Sequence, residues 1–76
     1  MLSYEECYTI AQDYKDNIDK ALEYEKAYVF GAHEDENYDG GAGHTSVVVW
    51  KNNGAVTNFP ELVIRGAGKE IRSFDI

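Results

Sequence analysis

A single cysteine, Cys7, and a single proline, Pro60, are all that this 76-residue chain holds of either residue type. One cysteine excludes an intrachain disulfide and any zinc site built from two or more thiolates of the same chain. No run comes near the about 18 apolar residues of a membrane-spanning helix. The first residues, MLSYEECYTI, lack the basic stretch and apolar run of a signal peptide, so the expectation is a soluble cytoplasmic protein with no membrane partner. Basic residues are also scarce, with seven Lys and Arg against fourteen Asp and Glu, a net charge of −7. The length suits one domain, residues 1–76. A core that thin must draw its stability from close packing, dimerisation or both. Ten aromatics (six Tyr, three Phe, one Trp) supply large buried area from few positions.

The acidity is uneven. Residues 1–44 carry eleven acids against three lysines, a net −8, whereas residues 45–76 carry three acids against four bases, a net +1. Such a field repels phosphate backbones, which excludes nucleic acid as the expected partner. It speeds encounter with a basic protein.

Ser3 followed by Glu6 spells a capping box, and Glu5 and Glu6 add negative charge where a helix dipole favours it. Tyr4, Cys7, Tyr8, Ala11, Tyr14 and Ile18 recur at 3/4 spacing as one apolar stripe. The pattern predicts a helix from Ser3 into residues 16–22, with no glycine to mark its end. KAYVFGAH (26–33) reads as a strand with Tyr28, Phe30 and Ala32 on one face. TSVVVWK (45–51) is the strongest strand signal, NNG (52–54) the hairpin turn, and AVTNF (55–59) the antiparallel return, ended by Pro60. Residues 60–68 fit a helical turn opened by Pro60 and stopped by Gly66, or an irregular strand, and both readings are open. Residues 69–76 read as a last strand with Arg72, Phe74 and Ile76 on one side. The expected fold is α+β, an N-terminal helix packed on a three- to four-stranded antiparallel sheet.

The segment HEDENYDGGAGH (33–44) holds the candidate chemistry. Asp35-x-Asn37-x-Asp39-Gly40 opens like an EF-hand calcium loop. Its twelfth position is Ser46, which cannot give the bidentate carboxylate, and strands are expected on both sides where an EF-hand has helices. What stays is a low-affinity metal site of Asp35, Asn37 and Asp39, to which His33 and His44 add imidazoles for zinc if the loop closes. Calcium or zinc is the only cofactor this composition suggests. GGAG and GAG lack the spacing and flanking residues of a phosphate loop. Ser3 is used as a cap, Ser46 opens a strand, and Cys7 lies on the apolar stripe. No nucleophile, base and orienter stand together, so the chain is not expected to be an enzyme.

Protein binding is the expected function. Glu34, Asp35, Glu36 and Asp39 gather around Tyr38 as the densest charge in the chain, and Trp50 joins them as a candidate hot spot for a protein partner, possibly a basic one. A metal- or small-ligand-binding accessory domain is one alternative. A self-associating structural domain, a homodimer through an exposed strand edge, is another.

The strand YVFGA (28–32) and the strand-turn VVVWKNNGAV (47–56), placed after an amino-terminal helix, resemble the immunity protein 35 family of bacterial polymorphic toxin systems. That resemblance implies a small α+β protein that binds and blocks a toxin. The tail GAGKEIRSFDI has no counterpart in it. The helix followed by a glycine-turned hairpin is also similar to the PepSY-type module, a largely extracytoplasmic family.

Overall fold

A computed structural model of the chain describes residues 1–32 and 46–76. The described elements run α1 (Tyr4–Gln12), β1 (Lys20–Tyr24), β2 (Ala27–Gly31), β3 (Val47–Trp50), β4 (Val56–Asn58), α2 (Phe59–Arg65) and β5 (Glu70–Asp75). The five strands form one antiparallel sheet in the order β4-β3-β2-β1-β5. The α+β class and the N-terminal helix are as expected, with five strands in place of three or four.

α1 begins as its sequence says. The Glu6 amide donates to the Ser3 hydroxyl at 3.2 Å, and the Ser3 amide donates to the Glu6 carboxylate at 3.0 Å. These two bonds satisfy donors that a helix start leaves open. The helix stops at Gln12, short of the predicted 16–22. No basic residue occupies its last turn, and Asp13 and Asp16 follow at the end where the dipole disfavours acids. Tyr14, expected on the apolar stripe, is thereby released to solvent and is 65% exposed.

The larger correction is β1. KALEY is rich in helix formers, yet it pairs on both sides, with β2 (Ala21 opposite Phe30) and with β5 (Ala21 opposite Phe74). Pairing on two edges outweighs a propensity worth only tenths of a kcal/mol per residue. Residues 60–68 resolve as the helical reading: Asn58 caps α2 by accepting from the Glu61 amide at 3.0 Å, Pro60 stands in its first turn, and Gly66 ends it at φ +79°. The last strand stands as β5, from Glu70 to Asp75.

Two cores lie on opposite faces of the sheet. On the first, Cys7 and Ala11 of α1 pack on Ala21, Tyr28, Phe30 and Val49, with Tyr4, Tyr8 and Phe74 around them. Tyr4 is the hub, its ring 5.4 Å from those of Tyr28 and Phe74 and 6.0 Å from those of Tyr8 and Phe30. Edge-on and tilted contacts of this kind each add about 0.5–1.5 kcal/mol beyond burial. The β3–β4 turn fits under α1 at Gly54, whose φ of +73° suits glycine and whose missing side chain leaves room for Ile10 and Leu2.

On the second face, Ala27, Val29, Val48 and Trp50 pack with Leu62 of α2 and Ala67. The segment after α2 is strapped to the β1–β2 turn: the Lys26 amide donates to the Ala67 carbonyl, and Glu25 and Lys69 exchange two further bonds. Gly68, at φ +85°, comes so near Glu25 that an added Cβ would lie 2.8 Å from the Glu25 Cβ.

Candidate contact surface

His33, Glu34, Asp35, Glu36, Asn37, Tyr38, Asp39 and His44, the acidic-loop residues singled out from the sequence, lie outside the described residues. Among the described residues, no three His, Cys, Asp or Glu side chains stand close enough to share a metal ion. Trp50 is described, and it is 7% exposed. Its indole nitrogen donates to the Thr57 hydroxyl at 2.9 Å, so its polar atom is satisfied inside the hairpin. The ring is a floor for other groups and is not a projecting anchor.

Buried charge gathers at one end of the α1 face. Glu23 on β1 accepts from Lys51 Nζ at 2.8 Å through one carboxylate oxygen and from Arg72 Nε at 2.8 Å through the other. The Lys51 ammonium also lies 4.7 Å from the centre of the Tyr28 ring. Hydrogen bonds from Lys51, then from Arg72, hold the Glu23 carboxyl below the usual 4.5 of a glutamate. Burial pushes the Tyr28 phenol up, and the neighbouring Glu23 carboxylate pushes in the same direction. The arrangement ties the end of β3 to β1 and β5. Both carboxylate oxygens of Glu23 are taken by these two cations, which suits a structural clamp, and Arg72 forms its solvent-facing side.

Cys7 sits beneath this clamp, fully buried. Burial raises its thiol above the ordinary cysteine value, and nearby Lys51 offsets only part of that. The packed reading of this residue fits its place in the core.

α2 presents a different chemistry. Leu62 points into the second core, and 100° per residue then places Phe59 and Val63 on one flank, Ile64 outward, and Glu61 and Arg65 on the other flank. Phe59 is 40% exposed, Val63 65% and Ile64 77%. A surface helix ordinarily gives its outer side to polar residues. Here the polar flank is a single pair, Arg65 Nε donating to Glu61 at 3.1 Å, with the guanidinium 5.6 Å from the centre of the Trp50 ring.

Beside that flank a groove of about 270 Å³ opens over Trp50, bordered by Lys26, Arg65 and Glu25. Its lining holds Lys26, Lys51 and Arg65 against Glu25, with Lys51 engaged by Glu23 and Arg65 by Glu61. The apolar arc of α2 is the dominant feature of this side.

The arc was not singled out from the sequence, although its signal is there. In FPELVIR the apolar residues Phe59, Leu62, Val63 and Ile64 span more than one face, an excess over what a helix buries on a single sheet. No described helix is long and apolar enough to cross a membrane. No family model, curated protein or solved structure matches the chain.

Proposed function

We propose that the chain is a non-catalytic, cytoplasmic protein-binding domain whose contact surface includes the outward side of α2. The observation that carries this reading is the exposure of Phe59, Val63 and Ile64 together on a seven-residue helix. Neighbouring large apolar side chains left in water mark a contact surface more often than isolated ones do. A partner would close over them, with the flanking Arg65–Glu61 pair and the groove over Trp50 as the polar rim. The net charge of −7 supports a partner of basic character, drawn in by long-range attraction. In the frame of the immunity protein 35 resemblance that partner is a toxin.

The test replaces Val63 and Ile64 by Gln together, a helix former that brings no charge to the last turn of α2. Both side chains are exposed, so the melting temperature should stay within about 2–3 °C of the parent. The complex formed in extracts of the source cell, followed by native size fractionation, should be lost. A complex that survives the double substitution unchanged rejects this surface.

A further inference from the structure

We infer that Asn53 is a latent site of covalent modification, kept intact by the folded β3–β4 turn and converted to aspartyl and isoaspartyl residues when that turn opens. Asparagine is one of the thermolabile residue types. What attacks its side chain is the main-chain nitrogen of the residue that follows. Of the five asparagines, at 17, 37, 52, 53 and 58, Asn53 alone precedes a glycine. Glycine has no side chain to shield its nitrogen or to hinder ring closure. Asn53 is also exposed, so water reaches it.

Water is the only co-reactant the chemistry needs. The Gly54 nitrogen gives its proton to solvent and attacks the Asn53 Cγ. A C–N bond forms, the bond from Cγ to the side-chain nitrogen breaks, and that nitrogen takes a proton from solvent and leaves as ammonia. Water then opens the succinimide ring at either of its carbonyls. Breaking the bond from the ring nitrogen to Cγ leaves an ordinary aspartate. Breaking the bond from the same nitrogen to the main-chain carbonyl leaves an isoaspartate, whose chain runs on through Cγ and carries an additional methylene.

In the fold both reacting groups are held by other partners. The Gly54 amide donates to the Trp50 carbonyl at 2.8 Å, which retains the proton that the nitrogen must lose. The Asn53 Oδ1 accepts from the Ala55 amide at 3.0 Å, pinning the carboxamide in an Asx turn that reaches past Gly54. Gly54 is also fixed in place, at φ +73° beneath α1, with Ile10 and Leu2 beside it. Both bonds must be released together before attack, so the rate follows the population of the open turn.

The two products differ in what they do to the hairpin. An aspartate at position 53 still offers Oδ1 to the Ala55 amide. An isoaspartate lengthens the main chain inside the turn that the Trp50 amide closes on the Ala55 carbonyl at 2.9 Å. It thereby displaces Gly54 from its seat under α1. The isoaspartyl form is a lasting record that the turn has opened.

The site does not involve the α2 arc, so this inference and the proposed binding surface fail separately. The full chain is aged in mildly alkaline buffer, folded in one sample and unfolded by urea in the other, and residue 53 is followed by peptide mass spectrometry. The mass gain from amide to acid separates Asn53 from Asp39–Gly40, where isomerisation changes no mass. Asn53 should be lost at least about tenfold more slowly from the folded chain, the factor that two hydrogen bonds give when they must break together. Phe30→Ala, which loosens the core without touching the turn, should lose Asn53 faster than the parent in the absence of urea. Asn53→Asp should melt like the parent, whereas the isoaspartyl fraction, purified from the aged unfolded chain and refolded, should melt lower. Equal rates of loss in the two states, an unfolded chain that keeps its Asn53, or an isoaspartyl fraction that melts with the parent overturns the inference.

Discussion

The two faces of the sheet use their apolar residues in opposite ways. On the α1 face nearly every large side chain is spent on the protein itself. Tyr4, Tyr8, Tyr28, Phe30 and Phe74 form one aromatic network, a capping box closes the helix, and Glu23 balances both Lys51 and Arg72. On the α2 face the helix sends one side chain, Leu62, into the core and leaves three large apolar ones in water. The contrast separates what folds the chain from what the chain can offer to another molecule: the first face turns most of its large rings inward, with Tyr14 and Ile76 left exposed, and the second leaves three large apolar side chains exposed together on one short helix.

Substitutions should therefore have unequal effects on the two sides. The largest loss is expected for Phe30→Ala, which empties a fully buried ring site under α1. Denaturant unfolding should show about 3–5 kcal/mol less stability, enough to leave so small a domain partly unfolded.

Glu23→Gln comes next. It leaves Lys51, with a side chain 9% exposed, without its counter-charge, and should lower stability by about 2 kcal/mol, less than a fully buried pair because Arg72 reaches solvent. The same residue sets a pH signature. Its carboxyl titrates lower in the fold than in the unfolded chain, so its contribution is complete above about pH 4.5. That contribution is lost as pH falls through the lowered folded value. Acid titration of stability should have a shallower limb in the Gln variant than in the parent.

Gly68→Ala should cost about 1–2 kcal/mol in the same assay, because the residue sits at positive φ and an added methyl meets Glu25. The smallest change in stability, within about 0.5 kcal/mol, is expected for Val63→Ser with Ile64→Ser on the outward side of α2. If that pair destabilised the protein as much as Gly68→Ala does, the exposed arc would belong to the fold and the contrast between the faces would disappear.

Much of this architecture can be read from the residues. The Ser3–Glu6 box, the Val-rich β3 and the NNG turn are local signals, each complete within four to seven positions, and each is where the pattern puts it. β1 is illegible for the opposite reason. The residues of KALEY favour a helix, and only their neighbours β2 and β5, distant in sequence, make a strand of them. Tyr14 misleads through its 3/4 spacing, since periodicity carries no information on where the acids after Gln12 end the helix. Trp50 read as a surface anchor by residue type, whereas its place at the end of β3, over Thr57 and under α2, buries it. The α2 arc needed a count of apolar residues around the full helix circumference in addition to a search for one apolar stripe.

The most direct test of the contrast places a photo-activatable side chain at residue 64, on the α2 arc, and separately at residue 12, on the exposed side of α1, and irradiates cells making each protein. The account predicts a discrete adduct of one protein partner from position 64 and none from position 12. Adducts from position 12 alone, or from neither position, would contradict it.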